Sequence, residues 1–334
     1  MELIKPERLH RGDTIGIISP ASNLSPKQIS ALARTTGFLK GVGYRIKLGK
    51  HCKGRYGHKA GTIEQRLEDF NSMFEDDEIR AVITARGGYN SNDLLDRIDY
   101  GMVRRNPKIF CGFSDITFMH CALHTKTGLV TFYGPNGTTR SGTDIIGEYT
   151  YRNFEAVVGA ADSPIRLGPS RKFTFTYGSD TLKKADLKST SWKVLREGKA
   201  EGRLVGGHIF TMLNLCGTEY FPDFKGKILF WEDTETTSPM TDRFLRQLEM
   251  IGVFDNIRGM IVGRVNLNEY KIERRDYGLD KIILDVTKGY DFPIVMDMDF
   301  GHTAPMLTLP YGIPARLDLK GRKTSLELLD SAVR

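Results

Sequence analysis

The sequence predicts an α/β protein. It has an N-terminal, mainly parallel sheet with helices on both faces, followed by a C-terminal mixed β/α domain of swivelling β/β/α or barrel-like form. Three observations predict this. In the first half, short β-branched apolar runs alternate with segments of helical spacing, the pattern of parallel strands joined by crossover helices. At 334 residues the chain is long for a single core. Toward the C-terminus several short apolar runs follow one another closely, as in a small antiparallel or barrel-like sheet.

In order, residues 14–19 read as a strand and 26–39 as a helix. Ser25 and Pro26 supply that helix with an N-cap and a first-turn proline. Residues 44–48 form a second strand. The helix over 62–74 opens with Thr62 and Gln65 at capping-box spacing. A strand over 79–84 leads into Arg86-Gly87-Gly88-Tyr89-Asn90 and then a helix through Leu94 and Leu95. Strands over 109–111 and 129–133 flank a helix that begins after Ser114 and runs to about His124. Between 163 and 198 the pattern weakens into a polar stretch carrying Trp192, which reads as a linker or an active-site flap. The pattern then resumes with a strand over 202–205, Gly206-Gly207, and a helix containing Ile209, Met212, Leu213 and Leu215. Residues 228–231 are an apolar strand that ends at Glu232-Asp233. The helix over 241–251 places Phe244, Leu245, Leu248 and Ile251 on one core-facing side. A strand over 260–262, a helix over 280–288, and strands over 294–296, 307–309, 315–319 and 325–329 complete the chain. The expected division is an N-terminal domain over 1–162, a linker or flap over 163–198, and a C-terminal domain over 199–334.

Composition narrows the function. The net charge is +7, and basic residues are interleaved with acidic ones rather than gathered in a block. That argues against a nucleic-acid polymer as partner and leaves a mild bias toward small anionic ligands. Four cysteines without CxxC spacing make a disulfide framework unexpected. Cys111 and Cys121 read as small buried hydrophobes. No run of about 18 apolar residues occurs, and residues 1–13 lack a signal-peptide core, so the expectation is a cytoplasmic protein with no membrane partner. His51, Cys52 and His58 share one loop, but their spacing fits no standard zinc pattern. No metal and no cofactor are expected.

The most informative stretch is Lys108-Ile109-Phe110-Cys111-Gly112-Phe113-Ser114-Asp115. It puts a serine on a sharp turn from strand to helix, where free helix N–H groups face any developing negative charge. A nucleophilic serine needs a base, and the base an orienting partner. His302, in the loop Asp299-Phe300-Gly301-His302, is the candidate base, and Glu232, at a strand end, is the candidate partner. Oxyanion donors would be the N–H groups of Asp115 and of the Arg86-Gly87-Gly88 turn, at Gly88. Plainer readings stand beside these. Ser114 and Asp115 also suit a helix N-cap, and Ile116 stands where the nucleophile-elbow pattern has glycine. The glycine turn also suits an anion nest, Glu232 a solvated strand end, and His302 a satisfied loop histidine. A non-catalytic phosphate- or nucleotide-binding module is the competing class, although no GxxxxGK[ST] or GxGxxG follows a strand.

Several segments in order resemble the serine peptidase family of LD-carboxypeptidases and microcin C immunity proteins, peptidase family S66. They are 12–20, Ala85-Arg86-Gly87-Gly88-Tyr89, Gly112-Phe113-Ser114-Asp115, 131–135, 201–207, Leu229-Phe230-Trp231-Glu232-Asp233 and Gly301-His302-Thr303. The resemblance implies a triad of Ser114 as nucleophile, His302 as base and Glu232 as orienter, with no metal and a homodimeric assembly. Tyr89-Asn90-Ser91-Asn92, residues 106–109 and 126–129, and the extended 163–198 segment are closer to the microcin-immunity branch. Members of that branch cut the amide between a C-terminal aspartate and a nucleotide-like group. The resemblance therefore implies a small peptide or peptidyl-nucleotide substrate, with Arg86, Gly87, His208 and Trp192 near it and Trp192 as a stacking surface for a nucleobase. The alternative within the family is a muropeptide LD-carboxypeptidase. One departure stands out: His208 occupies a position where the family usually has asparagine.

Overall fold

The structure, a computed structural model, describes residues 2–139, 145–175, 187–267, 278–321 and 323–334. Its first sheet is built from β1 (Thr14–Ile18), β2 (Arg45–Leu48), β3 (Ile79–Thr84), β4 (Ile109–Gly112) and β5 (Phe132–Tyr133), all paired in parallel. Every residue of β1 and β4 is buried, as expected for strands covered on both faces. The crossovers are helical: α1 (Pro26–Gly41), α2 (Ile63–Glu75), α3 (Tyr100–Arg105) and α4 (Thr117–Thr127). Ser25 and Thr62 both close capping boxes, with Gln28 and Gln65 respectively, so two helix starts follow directly from local sequence. A further helix, α5 (Ile145–Val158), and α3 were not anticipated. The helix expected through Leu94 is a single 3-10 turn, Ser91–Leu94.

The second sheet has eight strands in the order β6-β18-β17-β10-β11-β13-β15-β9. They are β6 (Ile165–Leu167), β9 (Lys193–Arg196), β10 (Gly198–His208), β11 (Ile228–Glu232), β13 (Gly259–Gly263), β15 (Ile294–Met298), β17 (Pro314–Lys320) and β18 (Lys323–Leu328). Its centre, β10-β11-β13-β15, is parallel, and the flanking pairs are antiparallel. It is an open mixed sheet with β6 and β9 as edges. Among the described residues no closed barrel forms, so of the expected C-terminal forms the open one is realised. Helices α6 (Ile209–Leu213), α7 (Ser238–Met250) and α8 (Leu279–Val286) follow β10, β12 (Thr234–Thr236) and β14 (Asn266–Leu267). Among the described residues, 163–198 carries four short strands, since β7 (Lys172–Phe173) pairs with β8 (Lys188–Ser189) between the two edge strands. Residues 176–186 of that segment lie outside the described residues.

One connection positions the site. After β15 the chain leaves the second sheet, passes His302, and returns as β16 (Leu309–Pro310), which pairs antiparallel with β5 of the first sheet. Residues from both sheets therefore share one continuous buried core, and the ends of β4 and β11 meet where that connection passes.

Candidate active site

Ser114 begins the turn between β4 and α4. Its φ of 67° is left-handed, a conformation a non-glycine residue adopts rarely and mostly where surroundings enforce it. The turn is locked from three sides. Thr117 Oγ1 donates to the Ser114 carbonyl at 2.7 Å, the Tyr133 hydroxyl accepts from the Ser114 N–H at 3.2 Å, and Gly87 packs against the turn. A Cβ on Gly87 would sit 2.9 Å from Ser114 Cβ and 3.0 Å from the Phe113 carbonyl, which explains the glycine. The Ser114 hydroxyl does not cap the helix. It lies 3.0 Å from His302 Nε2.

His302 Nδ1 lies 2.7 Å from Glu232 Oε2, and the His302 backbone N–H donates to the same oxygen at 3.2 Å. Glu232, the last residue of β11, is fully buried, so the solvated-strand-end reading does not hold. Burial alone would raise its pKa. The charge and hydrogen bond of His302, the nearby His208, and a hydrogen bond from Tyr133 outweigh burial and hold it at about 2. Tyr133 donates to Glu232 Oε1 at 2.6 Å. Sequence reasoning missed this tyrosine, although it stands in the strand quoted for the family resemblance.

Asp115 is buried, and its carboxylate accepts from the N–H groups of Asn90 at 3.1 Å and Ser91 at 2.8 Å. It thereby clamps the glycine turn to the serine turn. Burial pushes its pKa up, against those hydrogen bonds. The N–H groups of Gly88 and Asp115 make no hydrogen bond among the described residues.

Both Gly88 and Asp115 line a cavity of about 210 Å³ together with Tyr89, Ser114, Phe118, His208 and Phe210. Tyr89 is 64% exposed and Phe210 46%, so two aromatic residues at the cavity are open to solvent, the second of them unflagged by the sequence. His208 lies where the resemblance put it, with its ring centroid 5.5 Å from that of His302. Its Nδ1 meets Thr211 Oγ1 at 2.8 Å and its Nε2 lies 3.0 Å from Asp233 Oδ1. Burial opposes its protonation, but Asp233, Glu232 and Asp115 together raise its pKa above the ordinary histidine value. His208, Glu232 and His302 offer ligand-type atoms within 4.8 Å of one another. Both Glu232 oxygens already accept hydrogen bonds from Tyr133 and His302, whereas the buried His208 Nε2 has only its close approach to Asp233 and no hydrogen-bond partner among the described residues.

Arg86 and Trp192 are not among the residues that line this cavity. Arg86 Nη1 donates to Gln28 Oε1 at 2.9 Å and to the Asn23 carbonyl at 3.3 Å, and its Nη2 lies 3.6 Å from where a Cβ on Gly88 would stand. It braces the start of α1. Trp192 is 7% exposed, with its indole N–H on Asp299 Oδ2 at 2.9 Å. A ring so buried is core and not a stacking surface. Nor do His51, Cys52 and His58 converge: His51 Nε2 meets Glu68, His58 Nε2 meets Asn90, and Cys52 is buried beside Ser19. His120 is a satisfied core histidine between Thr131 and the Gly112 carbonyl.

Residues 15–134 match the LD-carboxypeptidase N-terminal domain family, and residues 201–317 the LD-carboxypeptidase C-terminal domain family. A probable murein peptide carboxypeptidase from Bacillus subtilis (strain 168) is 34% identical over 324 residues, covering 97% of this chain and 94% of the relative. The microcin C7 self-immunity protein MccF from Escherichia coli is 30% identical over 334 residues, covering 94% and 93%. The solved structure of MccF in complex with aspartyl sulfamoyl adenosine superposes with a TM-score of 0.92 at 27% identity, covering 99% of this chain and 100% of that one. A muramoyltetrapeptide carboxypeptidase from Oxalobacter formigenes superposes at 0.77 with 26% identity, covering 95% and 99%.

Proposed function

The chain belongs to the LD-carboxypeptidase family of serine peptidases, peptidase S66, and we propose that it hydrolyses an amide next to a C-terminal carboxylate or an aspartyl-nucleotide group through Ser114, His302 and Glu232. The observation that carries this reading is the unbroken path from Ser114 Oγ to His302 Nε2 at 3.0 Å, and from His302 Nδ1 to Glu232 Oε2 at 2.7 Å.

In this reading Ser114 attacks the scissile carbonyl while His302 takes its proton. Glu232 fixes the imidazole tautomer and stabilises the imidazolium. The N–H groups of Gly88 and Asp115 face the oxyanion, the acyl-enzyme forms, and a water deprotonated by His302 releases it. The protein acts without a metal or cofactor, as a cytoplasmic homodimer, and the division at 1–162, 163–198 and 199–334 belongs to the same proposal.

The likeness to MccF, solved with aspartyl sulfamoyl adenosine, favours a peptidyl-nucleotide substrate, and the two solvent-exposed aromatic residues at the cavity suit a planar group. The murein carboxypeptidase relative supports a second reading, an L,D-tetrapeptide. Parallel hydrolysis assays on aspartyl sulfamoyl adenosine and an L,D-tetrapeptide separate the two. Ser114→Ala is expected to lose at least about 10³-fold in kcat on the preferred substrate while still binding it. Wild-type turnover by that variant would sink the proposal.

A further inference from the structure

Directly after β15, on the loop that carries His302, stands a carboxylate sealed from water: Asp299 is 0% exposed. Its Oδ1 accepts from Ser170 Oγ at 2.6 Å and from Arg264 Nη2 at 2.9 Å. Its Oδ2 accepts from the Ser170 N–H and from the Trp192 indole N–H, both at 2.9 Å. A carboxylate offers about four lone-pair sites, so these donors fill it. They arrive from segments far apart in the chain, and all are buried: Ser170 6% exposed, Trp192 7%, Arg264 3%. The Arg264 guanidinium also lies 4.2 Å from the centroid of the Phe173 ring. At the far end of the loop Thr174 and Ala304 exchange two backbone hydrogen bonds, at 2.8 and 2.9 Å. Midway, Gly301 has φ +89°, and a Cβ there would lie 2.4 Å from Glu232 Cγ. The loop is thus gripped at both ends and pressed onto Glu232 at its centre.

We propose that Asp299 is a positioning residue. Held by Ser170, Trp192 and Arg264, it fixes the loop that carries His302 and so sets the reach from His302 Nε2 to Ser114 Oγ. This rests on the base role of His302 proposed above. It also gives the 163–198 segment a task, because two of the four hydrogen-bond groups on Asp299 come from Ser170 and a third from Trp192. A general base works only within hydrogen-bond reach of its proton, and a misplacement of about 1 Å costs about 10²-fold in rate. A purely structural knot would lower the melting temperature and leave the turnover of folded enzyme unchanged.

The test compares Asp299→Asn, Ser170→Ala and Trp192→Phe in the full chain, using whichever of aspartyl sulfamoyl adenosine and the L,D-tetrapeptide the wild type cleaves. Asp299→Asn turns an amide NH₂ toward donors. It is expected to lower kcat about 10- to 100-fold with KM within about twofold, and Ser170→Ala to lower kcat about 3- to 10-fold. The double variant Asp299→Asn/Trp192→Phe should be no slower than Asp299→Asn alone, because the two side chains act through one contact. A far-downfield proton resonance from His302 Nδ1–H, assigned by its loss in His302→Ala, should weaken in Asp299→Asn. Folded variants that all keep kcat within twofold, or that raise KM at constant kcat, would overturn the inference. If Asp299→Asn does not fold, Ser170→Ala and Trp192→Phe decide on the same criterion. A His302→Ala variant that stays active sinks the active-site reading itself. An inactive His302→Ala beside fully active knot variants sinks only the role given to Asp299.

Discussion

Tyr133 and Glu232, 99 residues apart, share a buried hydrogen bond of 2.6 Å. The same phenol oxygen accepts from the Ser114 N–H. One side chain from the first sheet thus fixes both the turn that presents the serine and the carboxylate behind the histidine. Replacing it by Phe would leave the buried Glu232 Oε1 and the part-buried Ser114 N–H without these partners.

Each buried group left unpaired costs about 1–3 kcal/mol. Tyr133→Phe is therefore expected to lower the unfolding free energy by a few kcal/mol and kcat by about tenfold. Denaturant unfolding and steady-state kinetics check it. A variant as stable and as fast as wild type would show the phenol to be idle.

Gly87→Ala tests how closely the glycine turn must approach Ser114. Its Cβ would meet Ser114 Cβ, the Phe113 carbonyl and the Asp115 nitrogen at 2.9, 3.0 and 3.1 Å. Such overpacking costs about 1–3 kcal/mol, and a displaced turn is expected to cut kcat about 10²-fold. Gly37→Ala, with nothing within 4 Å and in the interior of α1, is the control. It should gain about 0.5–1 kcal/mol and leave the rate alone.

Stability at acid pH should depend on Glu232. Its pKa falls from 4.5 to about 2 on folding, so between those values the unfolded chain binds the extra proton. The stabilisation is complete above about pH 4.5 and is lost as pH falls toward 2. At about 1.4 kcal/mol per pH unit it is worth on the order of 3 kcal/mol. Urea titrations across this range should show the slope in wild type and a flatter one in Glu232→Gln. Equal slopes would remove the linkage.

His208 should act in the opposite direction. Its folded pKa is raised above 6.5, so its share of stability is present below about pH 6.5 and disappears as pH climbs through the folded value. Unfolding free energies measured from pH 6 to 9 should decline more steeply in wild type than in His208→Asn. The reverse order would contradict the charge pairing with Asp233.

The parts legible in the sequence are those whose cause is local. β1, β3 and β11 are short, mostly apolar and largely buried runs, and the boxes at Ser25 and Thr62 announce their helices. Ser114, Glu232 and His302 each stand at an element end or in a glycine-flanked loop, where a polar group draws notice. α3 escaped because six residues capped by Asp99 are too few for a periodic signal. The strands of 163–198 escaped because β6 and β9 are sheet edges whose partners, β18 and β15, lie more than a hundred residues or close to it downstream. Tyr133 and Asp299 sit among apolar neighbours, and only their distant partners disclose their use. The stacking role expected of Trp192 comes from the resemblance alone, and nothing local in the sequence tells that folding buries it against Asp299.

Ser114 and His302 are separated by 188 residues, and synthesis delivers the alcohol long before the histidine proposed as its base. A nascent chain still on the ribosome therefore carries a serine no more reactive than any other. The hydrolytic potential proposed for this protein arises only when the final strands arrive and β16 closes against β5, so half-made or truncated products would be harmless to the peptides around them.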